Sequence, residues 1–293
     1  MENILQMLIT KNWSEYALLD SGAGRKLERF GKYIIDRPEP QAMWSKHLPM
    51  ETWQKADAIF MGDDEHESGK WRFRGEQLTT WETSYNSIKF FGRLTSFRHI
   101  GFFPEQAPHW DLIAKRIPEI KDAKVLNLFA YTGVASLFAA QAGAEVTHVD
   151  ASKKAIEWTK ENQKLSGLEN APIRFMCDDV KKFVAREIRR EQKYDVILLD
   201  PPKFGRGPKN EVWNFFGDLP ALLRDCRTLL KEKSTGFVML TSYAVRASSV
   251  SLHELSTEIF ADMKPKITSG ELAVQEENGG RMISTSHFCK IDF

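Results

Sequence analysis

The chain has 293 residues, of which 42% are hydrophobic and 28% are charged, and its formal net charge is +1. This composition is typical of an ordered globular protein with one large and one smaller domain, and it excludes a disordered or collagen-like chain. A nearly neutral protein has no broad basic surface, so any nucleic-acid partner has to be captured by a local patch.

The spacing of the cysteines and the length of the apolar runs indicate the cellular compartment of the protein. Cys177, Cys226 and Cys289 are far apart and form no Cys-x-x-Cys pair, so we expect neither a disulfide framework nor a structural zinc site. Residues 1–13 lack the basic and apolar pattern of a leader, and no run is long enough to cross a membrane. We therefore expect a reduced cytoplasmic protein without a membrane partner. Nothing in the sequence indicates the oligomeric state.

The first third of the chain predicts a small domain rich in β-strands. Residues 1–100 contain short, partly alternating apolar runs separated by Gly, Pro and Asp-Asp. A connector follows, and its predicted helix covers roughly 108–117. We assign residues 1–100 to substrate recognition or to a lid, and residues 101–293 to the main domain.

From residue 121 onward, short apolar runs alternate with stretches of helical spacing. Such alternation predicts a parallel sheet with helices on both faces. The predicted strands are 124–129, 144–150, 171–176, 194–200 and 235–243, and the predicted helices are 132–142, 152–166, 179–191, 218–232 and 248–263. Residues 270–277 and 282–293 flank Asn-Gly-Gly-Arg and predict an antiparallel hairpin at the sheet edge. The sequence therefore predicts a doubly wound, mostly parallel α/β fold with seven strands.

The turn after the first of these strands predicts a site for an adenosine-containing cofactor. Gly133 permits close approach of a ligand to the backbone, and the next helix presents its N-terminus there. Asp150 ends the second strand, where a carboxylate can accept both hydrogens of a ribose diol. A single glycine after a strand is also typical of an ordinary tight turn. Its combination with Asp150 and the motifs below favours the cofactor site.

The residues of this loop discriminate between cofactors. A dinucleotide site has three glycines, which let backbone amides approach a pyrophosphate. The corresponding residues here are Asn127, Phe129, Tyr131 and Gly133. These bulky or polar side chains would crowd linked phosphates, whereas S-adenosylmethionine has no phosphate at that place and fits better.

Acidic residues follow the third strand. A carboxylate there, Asp179 in particular, can accept a hydrogen bond from an adenine amine while a neighbouring backbone amide contacts the ring. The same residue is also well suited to cap the helix that begins there. Because one Asp-Asp pair, Asp178 and Asp179, can serve both purposes, the two interpretations are compatible.

The fourth strand ends in Asp-Pro-Pro-Lys-Phe (200–204), the most specific local feature of the sequence. Each proline locks φ and removes a donor, which leaves rigid carbonyls that can orient a planar nitrogen group. Phe204 can stack on a base, and Lys203, Arg206 and Lys209 can reach phosphates. The alternative is a proline-stiffened loop with solvated charges, which the position at the switch point of the sheet makes less favourable.

Together these motifs resemble the Rossmann-like S-adenosylmethionine-dependent methyltransferases. They resemble most closely the family of large-subunit ribosomal RNA methyltransferases that modify cytosine carbon 5 or guanine nitrogen 7. The matching elements are Asn-x-Phe-x-Tyr-Thr-Gly (127–133), Val-Asp-x-Ser (149–152), Asp-Asp-Val (178–180), Asp-Pro-Pro-Lys-Phe (200–204) and GFFPEQ (101–106). The resemblance covers about residues 95–293 and implies a Rossmann-like methyltransferase sheet, S-adenosylmethionine as cofactor and ribosomal RNA as substrate. The front domain resembles one branch of uncharacterised relatives more than the RNA-binding domain of the best-known members.

The motifs and the resemblance together assign two sets of residues. Cofactor binding is assigned to Phe102, Gln106, Asn127, Phe129, Tyr131, Thr132, Gly133, Asp150, Ser152, Asp178, Asp179, Val180 and Asp200. The chemistry is assigned to Asp200, Pro201, Lys203 and Phe204. No metal is expected, because no histidine pairs with a carboxylate at ligand spacing.

Two positions depart from the family. Members that methylate cytosine carbon 5 need a cysteine nucleophile, which the resemblance places in the loop after the fifth strand. Residues 240–249 contain Ser242 and Tyr243 there and no cysteine, and we interpret the three cysteines as small buried hydrophobes. A nitrogen acceptor with its own lone pair needs no such nucleophile and is favoured. Ala107 stands where related members tend to carry arginine, which leaves the substrate open.

The resulting hypothesis is in-line transfer of a methyl group to a nucleobase nitrogen. Asp200 and the Pro201 carbonyl would hold the acceptor, Phe204 would cover its face and Lys203 would neutralise a phosphate. Basic-aromatic clusters at 71–74, 91–99 and 204–209 favour an RNA partner, although exposed strand faces with interspersed charges explain 71–74 equally well.

Three alternatives remain. They are a methyltransferase for a protein side chain or small metabolite, a cofactor-binding assembly factor without catalysis, and a nicotinamide oxidoreductase. The intact 200–204 motif argues against the second, and the bulky 127–133 loop argues against the third.

Overall fold

The structure, a computed structural model, describes residues 5–62, 68–232, 235–243 and 245–293. The chain forms two compact units. The first contains the described residues through Leu8, His109–Leu272 and Ser286–Phe293, and the second contains Ile9–Pro108 and Ala273–Thr285. The predicted boundary at residue 100 thus lies inside the second unit, which also includes a turn from the C-terminal part of the chain. The assignment of residues 1–100 to substrate recognition or a lid stays a prediction.

Strands and helices are numbered here in chain order. The strands are β1 (Leu5–Ile9), β2 (Tyr16–Gly22), β3 (Arg25–Phe30), β4 (Tyr33–Pro38), β5 (Ala58–Met61), β6 (Lys70–Phe73), β7 (Thr80–Tyr85), β8 (Ile88–Arg93), β9 (Lys124–Leu128), β10 (Glu145–Asp150), β11 (Ile173–Cys177), β12 (Val196–Leu199), β13 (Phe204–Arg206), β14 (Val212–Asn214), β15 (Phe237–Tyr243), β16 (Lys266–Gln275) and β17 (Met282–Asp292). The helices are α1 (Met50–Trp53), α2 (Ala107–Arg116), α3 (Val134–Gln141), α4 (Lys153–Leu165), α5 (Val180–Arg189), α6 (Phe215–Thr228) and α7 (Ser249–Phe260).

The large sheet has the strand order β1-β16-β17-β15-β12-β9-β10-β11. Strands β9 to β12 and β15 pair in parallel, and β17 pairs with β15 in antiparallel fashion. The strand order reverses between β9 and β12, because β10 and β11 extend to one side and β15 to the other. Ligands of such sheets bind at the carboxyl ends of the strands beside this reversal. The predicted doubly wound, mostly parallel α/β fold is confirmed, and the predicted hairpin of β16 and β17 lies next to β15, one strand away from the sheet edge.

The centre of the first unit is apolar on both faces of the sheet. All four residues of β12 are buried, as are four of the five residues of β9. Helices α5, α6 and α7 contribute Phe183, Leu223 and Phe260 to the core beside these strands. Burial of one such side chain stabilises the fold by about 1.5–3 kcal/mol. Packing in the core therefore holds β9 and β12, and with them the loops that follow these strands, in a defined position.

The predicted helices and parallel strands agree with the structure within a few residues at their ends. The largest shift at a helix start is in α6, which begins at Phe215 rather than at residue 218. Its N-cap, Asn214, accepts a hydrogen bond from the Gly217 amide at 3.1 Å. Asn is a good N-cap because its side-chain oxygen satisfies an otherwise unpaired amide.

One strand of the large sheet was not predicted. Residues 5–9 were assigned to the front domain, but β1 lies at the sheet edge next to β16, so the predicted seven strands become eight. The close approach of the two strands is possible at Gly270, where a Cβ atom would lie 1.7 Å from the Gln6 carbonyl oxygen. Pairing between segments so far apart in the chain leaves no local pattern in the sequence.

The second unit has its own sheet and its own aromatic core. Strands β2 to β6 form a five-stranded sheet, and β7 and β8 form a separate hairpin, as the predicted β-rich domain requires. Trp13 packs against the rings of Phe90 and Phe102 at centroid distances of 6.1 and 5.9 Å. Phe30 lies 5.7 Å from the ring of Phe102.

A buried carboxylate fixes the turn between β16 and β17 in the second unit. Asp20, fully buried, accepts hydrogen bonds from the Leu48 amide and the Trp53 indole, each at 2.8 Å. It also pairs with the Arg281 guanidinium at 2.6 Å. The same guanidinium donates to Glu276 at 2.8 Å. The turn residues therefore supply the countercharge of a carboxylate that sits in β2.

Candidate active site

The loop after β9 has an unusual backbone. Phe129 and Tyr131 have φ values of 56° and 49°, and Gly133 has a φ of 82°. Left-handed conformations of residues other than glycine persist only where the surroundings impose them, and they cluster at functional sites. The Ala130 amide donates to the Val149 carbonyl at 3.1 Å, which ties the loop to the end of β10.

Gly133 is required for space as well as for conformation. A Cβ atom at this position would lie 2.1 Å from Thr159 Cγ2 on α4. The residue is the N-cap of α3, so the helix N-terminus points toward the carboxyl end of β9. A helix N-terminus is electropositive and favours polar or anionic ligand groups.

Asp150 is oriented by two backbone amides. Its Oδ2 accepts from Tyr131 N and its Oδ1 from Ser152 N, each at 2.8 Å. Burial raises the pKa of the Asp150 carboxyl, and the two amides oppose this rise because they stabilise the charged form. Each carboxylate oxygen has two lone pairs, so each can accept one further hydrogen bond. This arrangement fits the two hydroxyls of a ribose.

A chain of buried polar groups supports the loop from below. Asn127 Nδ2 lies 2.9 Å from Ser136 Oγ, which lies 3.0 Å from His148 Nδ1. His148 Nε2 lies 3.4 Å from Thr159 Oγ1, and this hydroxyl lies 3.0 Å from the Tyr131 carbonyl and 2.9 Å from the Ala155 carbonyl, either of which can accept its proton. One assignment satisfies all of these groups: Ser136 donates to Nδ1, and a proton on Nε2 donates to Thr159. Burial lowers the pKa of His148 to about 3, which keeps the imidazole neutral.

Asn127 belongs to this chain, because its side chain is buried and bonded to Ser136 beneath the loop. Its contact with the cofactor stays a prediction. Thr132 is likewise buried, and its carbonyl accepts from Asn162 Nδ2 at 3.0 Å. Neither Ser136, His148 nor Asn162 was singled out in the sequence. A histidine in the middle of an otherwise apolar strand was the available signal for one of them.

The carboxylates after β11 have different partners. Asp179 caps α5, with the Lys182 amide donating to it at 3.0 Å, so the helix-cap interpretation is confirmed. Asp178 accepts from Arg186 Nη2 at 2.6 Å and from the Asp179 amide at 2.9 Å. Its own amide donates to the Asp150 carbonyl at 3.2 Å, which places the two strand ends together. Contact with an adenine amine stays a prediction for both carboxylates, as does a contact of the neighbouring, buried Val180.

Ser152 begins the helix that follows Asp150. It is the N-cap of α4, and its hydroxyl accepts from the Ala155 amide at 3.2 Å. Its contact with the cofactor stays a prediction.

The Asp-Pro-Pro-Lys-Phe segment continues β12 beside the β9 loop. Leu199 pairs with Leu128 in the sheet, and the Asp200 amide lies 3.4 Å from the Leu128 carbonyl. The next residues form a hairpin of β13 and β14. Its Trp213 donates an indole hydrogen bond to the Pro202 carbonyl at 2.7 Å and packs against the Phe129 ring at 4.9 Å. Trp213, which sequence reasoning missed, therefore links the two loops.

Phe102 and Gln106 belong to the second unit. The Phe102 side chain is buried and packs 4.9 Å from the ring of Phe90. Gln106 ends a single 3₁₀ turn, and its amide donates to the Phe103 carbonyl at 3.0 Å. The contacts of both residues with the cofactor stay predictions.

The cysteines fit their interpretation only in part. Cys226 and Cys289 are buried, as expected, but Cys177 is exposed at the end of β11. Burial raises the pKa of all three thiols, and the charges of Asp150 and Asp178 contribute at Cys177. Ser242 and Tyr243, which were predicted in the loop after the fifth strand, are instead the last two residues of β15. Ser242 is buried, and residue 244 lies outside the described residues.

The basic-aromatic clusters lie in both units. In the second unit, Trp71 donates to the Thr95 carbonyl at 2.6 Å and packs 5.0 Å from the Phe60 ring, so it is part of the local packing. In the first unit, Phe204 is exposed, with Lys203 Nζ 5.5 Å from its ring centroid.

No helix in the part of the chain that the structure describes is both long enough and apolar enough to cross a membrane. Within the same residues, no group of three or more His, Cys, Asp or Glu side chains is arranged to hold a metal ion.

Several proteins similar to this chain are methyltransferases. The structure of an S-adenosylmethionine-dependent methyltransferase from Agrobacterium tumefaciens is 49% identical and superposes with a TM-score of 0.95 over 99% of this chain and 94% of that chain. The ribosomal RNA large subunit methyltransferase K/L of Pseudoalteromonas atlantica is 28% identical over 79% of this chain. The ribosomal RNA large subunit methyltransferase I of Tolumonas auensis is 40% identical over 41% of this chain.

The extent of these matches differs. This chain spans only 35% and 30% of the length of the Pseudoalteromonas and Tolumonas relatives. The family model described as S-adenosylmethionine-dependent methyltransferase matches residues 62–258, which is more than half of the chain. It covers the β9 loop, Asp150 and the Asp200 strand end. The chain therefore belongs to the S-adenosylmethionine-dependent methyltransferase family.

Proposed function

We propose that the protein methylates a base nitrogen of ribosomal RNA in the cytoplasm. One observation carries the proposal: the proline-locked strand end at Asp200 lies beside the strained loop that Asp150 holds in place. The names of the ribosomal RNA relatives support the substrate, although this chain covers about a third of their length.

The first unit has residues suited to hold the cofactor. S-adenosylmethionine, when bound, supplies an electrophilic methyl group on its sulfonium. Asp150 would accept from the ribose hydroxyls, because its oxygens are already oriented by two amides. The 129–133 loop would approach the ligand closely, since Gly133 has no side chain.

The acceptor would be held at the end of β12. The Pro202 carbonyl is taken by the Trp213 indole, which anchors the hairpin. The Pro201 carbonyl and the Asp200 carboxylate stand one and two residues nearer the sheet, where they would orient a planar nitrogen group. Phe204 would cover the face of the base, and Lys203 would neutralise a phosphate. The main contribution of these residues is positioning.

The burial of two cysteine thiols and the raised pKa values of all three favour a nitrogen acceptor over a carbon acceptor. Carbon-5 methylation of cytosine requires a thiolate to add to the ring. Cys226 and Cys289 are buried, and the pKa of every thiol is raised, which disfavours the thiolate. A ring nitrogen with a free lone pair reacts without such a group.

The first test replaces the acceptor-holding carboxylate. Asp200→Ala should abolish methyl transfer to ribosomal RNA, because the acceptor loses its orienting group, while S-adenosylhomocysteine still binds. Methyl transfer is measured with radiolabelled cofactor, and binding is measured by calorimetry. Asp225→Ala, which changes a half-buried carboxylate on α6, is the matched control and should keep full turnover. Unchanged turnover of Asp200→Ala would remove this strand end from the chemistry.

The substrate is tested independently of any variant. Mass spectrometry of ribosomal RNA nucleosides from cells with and without the gene should show one methylated base lost with the gene. If all modified nucleosides persist and the purified enzyme instead methylates a protein or a small metabolite, the ribosomal RNA assignment is wrong.

A further inference from the structure

The β13–β14 hairpin has one inner and one outer face. Gly205 pairs with Trp213, and Trp213 is buried, so this pair defines the inner face. Phe204 and Arg206 alternate with Gly205, and Val212 is the partner of Arg206, so these side chains share the outer face. All three are exposed. The hairpin thus presents a mixed apolar and cationic face to solvent.

Apolar exposure is concentrated here. Phe204, Val212 and Phe216 are 61%, 59% and 59% exposed. Phe216 lies in the first turn of α6, two residues after Asn214, the partner of Phe204 in the hairpin register. Single exposed apolar residues are ordinary, but a cluster of large ones bordered by charge marks an interaction site. We call the exposed side chains of residues 203–216 the hairpin surface.

The charge of the hairpin surface is positive. It contains Lys203, Arg206 and Lys209, and none of these side chains has a carboxylate partner within the described parts of the chain. The nearby acid, Glu211, is bound by Lys182 at 2.5 Å and by the Lys209 amide at 2.8 Å. The hydrogen bond from Lys182 is the main cause that lowers the pKa of Glu211 to about 2. The remaining charge suits an anionic partner.

The hairpin surface is also held in place. The Trp213 indole bonds the Pro202 carbonyl at 2.7 Å, and the Phe215 amide donates to the Lys203 carbonyl at 3.1 Å. At the tip, Gly207 and Glu211 are joined by a backbone hydrogen bond of 2.9 Å. A surface ordered before binding loses less entropy when a flexible partner docks.

We propose that the hairpin surface binds single-stranded RNA that flanks the acceptor nucleotide. Exposed aromatic rings stack on bases only where the bases are not stacked in a duplex, and cations at this spacing contact the connecting phosphates. The surface continues directly from Asp200, so nucleotides next to the acceptor lie within its reach. The inference rests on the proposed function for the identity of the acceptor, but binding is measurable without methyl transfer.

The test measures binding of a labelled oligouridine of about ten nucleotides by fluorescence anisotropy. Phe216→Ala should weaken binding by about five- to 150-fold, which corresponds to the loss of one stacked base. Arg206→Gln with Lys209→Gln should lower the slope of log affinity against log salt by about 1.4, because two phosphate contacts are lost. Calorimetry with S-adenosylhomocysteine should show unchanged cofactor affinity for both variants, which verifies that they are folded.

A matched control distinguishes the loss of phosphate contacts at the hairpin surface from the effect of lowering the net charge of the protein. Arg189 and Lys193 are exposed cations at the end of α5 and just before β12. They lie at the amino end of β12, whereas the hairpin surface follows its carboxyl end. Their double glutamine variant removes the same charge and should bind oligouridine as the wild type does.

Three outcomes would overturn the inference. They are unchanged RNA affinity of the Phe216 and Arg206/Lys209 variants, an equal loss in the Arg189/Lys193 control, and equally tight binding of a duplex of the same length. Failure of the proposed function has a different signature, because oligouridine would bind through the hairpin surface while no ribosomal RNA is methylated.

Discussion

At the scale of single residues, Phe129 and Tyr131 show how the cofactor loop is held. A left-handed conformation costs a residue other than glycine about 1 kcal/mol or more. Asp150 opposes this cost through its bond to the Tyr131 amide, and Thr159 does so through its bond to the Tyr131 carbonyl. The loop shape therefore depends on residues that are distant in sequence.

His148 makes the stability of this support dependent on pH. Its pKa is lowered to about 3, whereas in the unfolded chain it takes up a proton near pH 6.5. Below pH 6.5 the unfolded state binds more protons than the folded state, so stability falls as the pH falls. The expected contribution is about 1.4 kcal/mol per pH unit between pH 6.5 and pH 4. Urea unfolding at a series of pH values measures it.

The control for this prediction is a variant that lacks the histidine, in which the pH dependence of the free energy of unfolding is measured again. His148→Asn should be less stable at neutral pH, but its free energy of unfolding should vary less with pH by about 1.4 kcal/mol per unit, so the difference from the wild type should shrink as the pH falls. The buried His109, whose pKa is also lowered to about 3, supplies a similar slope in both proteins. An identical pH slope in wild type and variant would contradict the assignment of a neutral His148.

Residues of the site were predictable where a local pattern defined them. Gly133 follows β9 and Asp150 ends β10, and the carboxyl ends of parallel strands lie on the same side of a sheet. The sequence was therefore sufficient to predict that these two residues lie close together. The hydrogen bonds of the Asn127 side chain were not predictable, since they depend on Ser136 and His148 meeting beneath the loop. Trp213 was missed for the same reason, because its partner Phe129 is far away in the chain.

At the scale of elements, the β16–β17 turn owes its position to a charge pair. Arg281→Met would leave the buried carboxylates of Asp20 and Glu276 without their shared cation, although amide and indole donors to Asp20 remain. We expect the free energy of unfolding to fall by about 3 kcal/mol, since removing one partner strands a buried charge. Urea denaturation monitored by tryptophan fluorescence measures this change, because Trp53 bonds the same carboxylate.

A double variant distinguishes the charge from the packing. Asp20→Asn combined with Arg281→Met removes both charges of this pair and leaves only Glu276 without its cation, so it should recover part of the lost stability. If the double variant is as unstable as the sum of the two single variants, the charge pair is not the source of the effect.

Elements were predictable in proportion to their periodicity. The alternation of apolar runs with helical spacing was sufficient for the parallel strands and their helices, because burial on both faces imposes it. Strand β1 could not be predicted in this way, since its partner β16 lies at the far end of the chain and only five residues form the strand. The hairpin of β13 and β14 was also missed, because three-residue strands carry too little pattern.

At the scale of the whole molecule, cofactor binding should appear as thermal stability. A ligand that binds only the folded state at a hundred times its dissociation constant stabilises it by about 2.7 kcal/mol. S-adenosylhomocysteine should therefore raise the melting temperature, whereas NAD should leave it unchanged, because the 129–133 loop crowds linked phosphates. Differential scanning fluorimetry measures both ligands.

Asp150→Asn is the control at this scale. The amide keeps one acceptor but cannot accept from both ribose hydroxyls, so most of the shift with S-adenosylhomocysteine should vanish. A comparable shift with NAD in the wild type, or an undiminished shift with S-adenosylhomocysteine in Asp150→Asn, would contradict the cofactor assignment.

The second unit is discontinuous in the chain, since Ile9–Pro108 is completed by Ala273–Thr285. During translation, Asp20 leaves the ribosome more than two hundred residues before Arg281. A nascent chain therefore carries this carboxylate without its countercharge until Arg281 has been made. Premature termination products lack the closing turn, which makes them natural clients of chaperones and proteases.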